Sequence, residues 1–165
     1  SAVVVAGQAV SVTMGLSMAN LMDPTLGNVP VLSQFFLIMG SLLFFDLGGH
    51  ILVIQSVIDS FTLLPIGSSL ISVETVGKLI TWSSMMFLGG VLIALPVMVS
   101  LLLANIGVGI MTRTAPSLNI FSVGFPAMLA AGYIVLLVCV GSISERIRWL
   151  WQQGFSHMRD ILGIG

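Results

Sequence analysis

Asp46 and His50 stand four residues apart in "LFFDLGGHILV", inside an otherwise apolar stretch. On a helix that spacing puts a carboxylate and an imidazole on one face, within reach of a hydrogen bond. Ionisable groups at membrane depth are costly, so such a pair is a candidate proton relay. A relay needs further titratable partners along its path, which favours the structural reading. In that reading the two form a buried polar pair, or the His bonds a backbone carbonyl beside Gly48 and Gly49. Arg113, in "TRTAP", is grouped with Asp46 and His50 as a structural polar residue.

Other chemistry has little to work with. The chain has no HExxH, P-loop or GxSxG motif, and its only other histidine, His157, lies in a polar tail. The single cysteine, Cys139 in "YIVLLVCVGS", permits neither an internal disulfide nor a cysteine-based metal site, and reads as a small buried hydrophobe. The expectation is a protein that is not an enzyme and carries no metal or cofactor.

Composition defines the class of molecule that must hold these residues. The 165 residues are 57% hydrophobic and 7% charged, with a mean hydropathy of +1.16. Soluble domains carry about 25% charged residues. A chain so poor in charge cannot cover a water-facing surface, so most of its exterior must meet lipid or apolar protein. Five Lys and Arg and a net charge of −1 cannot track a phosphate backbone, which excludes a nucleic-acid partner. The opening "SAVVVAGQAV" lacks the positive region of a signal peptide and starts within a helical pattern, so a preceding segment is expected.

Four apolar stretches follow, at 1–22, 31–58, 79–112 and 120–143. The first is long enough for a span of roughly 20 residues. The third is too long for an ordinary span and reads either as one long tilted helix or as a hairpin, with Pro96 marking a kink. The segment 144–165, with Arg146, Arg148, Arg159, Trp149 and Trp151, reads as an amphipathic tail at an interface, and a helix packed on a partner would look similar. With four passes, Lys78 and the three tail arginines fall on one side and Arg113 on the other, which places the tail in the cytoplasm. The expected fold is all-α, with helical hairpins of integral-membrane type.

Two stripes mark the first stretch. Gly7, Ser11, Gly15 and Ala19 recur every four residues, forming a ridge of small side chains that lets another backbone approach closely. Met14, Met18 and Met22 form a second row, offset by one position. Methionine fills irregular gaps, so the row suits a core and equally a deformable constriction. Immediately beyond it, "MANLMDPTLGNVPVL" at 18–32 breaks the apolar pattern with Asp23, Pro24, Gly27, Asn28 and Pro30. On residues alone this break is either a surface turn or a shaped loop.

An ordered set of phrases resembles the FliR family of type III secretion export-gate membrane proteins. They are "MGLSMANLMDP" (14–24), "NVPVL" (28–32), "GGH" (48–50), "DSFTLLPIG" (59–67), "ALPVMVSLLLANIGVGIMTRTAP" (94–116) and "LNIFSVGFP" (118–126). The likeness is to the C-terminal part of the family, whose usual N-terminal membrane half is absent. Thr112 stands where the family commonly has Asn, and Asp46 where relatives often carry an uncharged residue. "LPIG" and "GFP" look more flagellar than injectisome-like.

The resemblance implies a hetero-oligomeric gate built with FliP, FliQ and FlhB-like subunits in the bacterial inner membrane, at the flagellar basal body. Unfolded flagellar proteins would be its substrates. It further implies that the loop is a pore plug, with Met14, Met18, Met22, Asp23, Pro24, Thr25, Leu26, Gly27, Asn28, Val29 and Pro30 forming plug and gate, and that Gly7, Ser11, Gly15 and Ala19 pack between subunits. The alternatives weighed are an injectisome gate subunit, a proton-coupled transporter of small solutes using Asp46 and His50, and a scaffold with no part in the pore.

Overall fold

The computed structural model describes residues 1–16, 31–63, 73–114 and 124–162. Among them there are five helices and no strand. They are α1 (Ala2–Thr13), α2 (Val31–Asp46), α3 (Gly49–Leu63), α4 (Val73–Thr114) and α5 (Phe125–Leu162). The all-α expectation holds, but the helices divide differently from the four apolar stretches.

In the first stretch, α1 ends at Thr13. Gly15 takes φ +77°, a left-handed setting that glycine adopts without steric cost, and its N–H donates to the Val12 carbonyl at 3.0 Å. The second stretch breaks in the middle. Gly48, at φ +68°, ends the α2 turn, and its carbonyl accepts from Ile51 and Leu52 to start α3, with 65° between the two helices.

The third stretch is one helix of 42 residues with Pro96 inside it. Proline in a helix interior costs about 3 kcal/mol relative to alanine. Ile93, Val97 and Leu101 beside it are fully buried, and each such burial returns roughly 1.5–3 kcal/mol. Packing therefore outweighs the break. The segment expected as a separate tail is instead the second half of α5, a continuous helix of 38 residues. Its apolar stripe of Ile143, Ile147, Leu150 and Trp151 packs on the chain's own core.

The core lies where α1 packs on α2 and α4 and where α4 packs on α5, centred on Ala6, Val10, Met14, Phe36, Ile93, Val97, Leu101, Ile143 and Ile147. Several hydroxyls on the apolar helices are satisfied locally: Ser41, Ser83 and Ser100 each donate to the carbonyl four residues earlier. Self-satisfied hydroxyls suit a surface that water does not reach.

Candidate functional site

Helix α1 and the start of α2 frame the stretch expected to be a plug. At their crossing, Gly7 lies against Ser33 so closely that a Cβ there would collide with the Ser33 backbone. The Ser33 hydroxyl donates to the Val4 carbonyl at 3.0 Å. On the other side of α1, Met14 is fully buried, with its Sδ 3.0 Å from where a Cβ on Gly132 would stand. Met14 and Ser33, the described residues on either side, are thus held by contacts within the chain. Met18, Ala19, Met22, Asp23, Pro24, Thr25, Leu26, Gly27, Asn28, Val29 and Pro30 lie outside the described residues.

The described part of the ridge of small residues makes contacts within the chain. Gly7 receives another backbone, as its type suggested, but the backbone is that of α2 in the same chain. Ser11 keeps its hydroxyl buried with no hydrogen-bond partner. Gly15 lies past the helix end, so its left-handed φ removes it from any ridge with Gly7 and Ser11.

Asp46 and His50 do not form the expected pair, because the bend at Gly48 separates them onto two helices. The Asp46 carboxylate instead meets the Arg148 guanidinium at 2.8 Å, and the His50 ring lies against Phe45 with centroids 5.5 Å apart. The Trp151 indole N–H donates to the Gly40 carbonyl at 3.0 Å. Phe44 packs on Trp151 at 4.8 Å and on Phe155 at 6.0 Å. Arg148, Trp151 and Phe155 were missed by sequence reasoning. The signal was present in their spacing of three and then four residues, which puts all three on one helix face. Arg113 occupies the last turn of α4, where a cation complements the helix dipole.

Among the described residues, no group of three His, Cys, Asp or Glu side chains could hold a metal. An apolar groove of about 480 Å³ runs between α1 and α4, lined by Val5, Ala9, Gly90, Ala94, Met98 and Leu102. Thr13 also lines it, but its hydroxyl is committed to the Ala9 carbonyl at 2.7 Å. A substrate pocket needs placed polar groups to orient its ligand.

The outer surface is the larger feature. Along α4, Leu79, Ile80, Phe87, Leu88, Leu95, Leu102, Leu103, Ile106, Ile110 and Met111 are exposed. The apolar part of the helix, Thr75–Met111, has 37 residues. At about 1.5 Å per residue it is about 55 Å long, against roughly 30 Å of bilayer hydrocarbon. The surplus is taken up by tilt or by a second apolar covering. By length and composition two helices, α4 and α5, are long and apolar enough to cross a membrane, or three if α2 and α3 are counted as one broken span.

These features define an all-helical, membrane-embedded protein with many exposed hydrophobic side chains. The family of bacterial export proteins, family 1, matches residues 1–154, and the chain belongs to that family. It is 34% identical over 163 residues to the flagellar biosynthetic protein FliR of Escherichia coli (strain K12), covering 98% of this chain and 62% of that protein. With FliR of Bacillus subtilis (strain 168) it shares 31% identity over 168 residues, covering 99% and 65%. The surface presentation of antigens protein SpaR of Shigella sonnei is 26% identical over 130 residues, covering 78% and 50%. The chain thus spans about three fifths of the length of the FliR proteins it matches.

Proposed function

We propose that this chain is a structural, non-enzymatic part of the flagellar type III export gate in the bacterial inner membrane. It would assemble with FliP, FliQ and FlhB-like subunits and contribute to the pore and plug through which unfolded flagellar proteins pass. The observation that carries this reading is the apolar overshoot of α4. Its exposed hydrophobic side chains run from Leu79 to Met111, further than an upright span of roughly 20 residues requires. Neighbouring apolar subunits are the covering that a hetero-oligomeric gate provides. Family membership and the FliR relatives support the same reading.

The proton-coupled transporter loses its proposed site, because Asp46 pairs with Arg148 and His50 sits across the bend. The SpaR likeness favours an injectisome gate as a second reading. Mild solubilisation of an affinity-tagged chain from its native membranes separates these outcomes. Recovery in a stable complex with flagellar gate subunits is expected, and partners from an injectisome would select the second reading. A monodisperse, functional monomer would overturn both.

A further inference from the structure

We propose that Gly48 is a working joint, about which α3 moves between the observed bend and a setting in line with α2, and that Arg148, Trp151 and Phe155 form the latch holding the bend. The backbone at Gly48 has φ +68° with nothing within 4 Å of an added Cβ. No neighbouring side chain wedges that residue into its bend. Glycine enters left- and right-handed helical settings about equally readily, so this position can change without steric penalty. The two arms are both helical and apolar, and together they satisfy the criteria for one span.

The arms are anchored unequally. Helix α2 carries Leu32, Ser33, Phe36 and Gly40 into the interior. In α3, none of the residues from His50 to Thr62 is buried. At the elbow α3 meets Phe44 and Phe45 of α2 and Phe155 from one face of α5. Phe155 lies against Phe44 of α2 and would also meet a Cβ on Gly49 of α3, so it touches both arms. Trp151 stacks on Phe155 at 5.9 Å and ties itself to the Gly40 carbonyl. Arg148 holds Asp46, the last residue of α2, at 2.8 Å. Straightening the elbow carries Gly49 away from Phe155, so a shift of the C-terminal half of α5 is transmitted to α3. Two discrete helix arrangements biased by one packed cluster are the usual form of such a device.

The test measures distances between spin labels on Ile58→Cys in α3 and Val138→Cys in α5, in the full chain in native membranes with Cys139→Ala as background. Both label sites are exposed. The unmodified elbow is expected to give one dominant, shorter distance. Gly48→Ala adds a methyl group to open space but disfavours the left-handed setting, and should move at least half of the population to a longer distance. Trp151→Phe keeps an aromatic ring but removes the indole donor and part of the ring area; it should give a smaller shift in the same direction. Gly77→Ala, on α4 with nothing near its Cβ, should leave the distribution unchanged. Wild-type distances in both Gly48→Ala and Trp151→Phe would show a fixed elbow. So would a Gly48→Ala chain that fails to assemble while Trp151→Phe keeps the native distance.

Discussion

The hydroxyl of Ser33 donates to the carbonyl of Val4 at 3.0 Å, at the point where Gly7 brings α1 and α2 together. The Ser33 backbone is what a side chain at position 7 would meet, and backbone cannot rotate aside. Gly7→Val is therefore expected to destabilise the chain by about 1–3 kcal/mol, the range for overpacking a closed interior. Ser33→Ala removes one hydrogen bond between helices and should cost less, roughly 0.6 kcal/mol. Thermal unfolding of the solubilised protein, read by fluorescence, ranks the two. Equal stability of Gly7→Val and the parent would mean that the crossing is open in the membrane.

Gly15 offers a different test, because its role lies in its own backbone. At φ +77°, a Cβ costs about 1–2 kcal/mol, and asparagine tolerates the setting better than other residues. Gly15→Leu should lower recovery of the assembled protein, and Gly15→Asn should restore most of it. A surface that needed a small side chain for subunit packing would reject both, so recovery that is equally low for both returns Gly15 to a contact role.

Asp46→Asn is expected to leave export within about twofold of normal. The carboxylate and the guanidinium it meets are 56% and 46% exposed, and a pair this accessible contributes roughly 0–1 kcal/mol in water. Motility and secreted flagellin provide the readout. Near-complete loss of export from an assembled complex would show that ionised Asp46 is required. In that case the exchange Asp46→Arg with Arg148→Asp separates the pair from the charge, since only a structural pair would be rescued.

What could be read from the sequence follows from the range of the interactions involved. Helical class and membrane character are properties of composition, and each helix carries its share. The break at Gly48 was hidden because apolar residues continue on both sides of "DLGGH", and a left-handed glycine is invisible to hydrophobic periodicity. Asp46 was matched with His50 because four residues is the reach of a helix turn. Its actual partner lies in another helix, 102 positions along the chain by residue number. The tail was read as a surface helix because a stripe that packs on another part of the same chain has the same period as one that meets lipid. Pro96 left two readings open, and burial of its neighbours in the folded chain selected the single helix.

The last prediction concerns "DPTLGNVP" at 23–30, proposed to close the pore. Replacing it with a Gly/Ser turn of equal span should leave the complex assembled but leaky to small ions. Assembly should survive because the flanking helices have anchors of their own. Met14 is buried against Gly132 on one side, and Ser33 is held to Val4 on the other. Closure should suffer because a plug excludes water only through its own bulk and rigidity. Pro24 and Pro30 restrict the backbone, and Leu26 and Val29 supply apolar surface that a Gly/Ser turn lacks. Met18 and Met22 remain in the altered chain, so the expected leak is partial. Single-channel conductance of the purified complex in a planar bilayer measures it, with Gly7→Val as a comparison in which assembly rather than closure is impaired. A fully assembled variant that conducts no more than the parent would make this segment an ordinary turn.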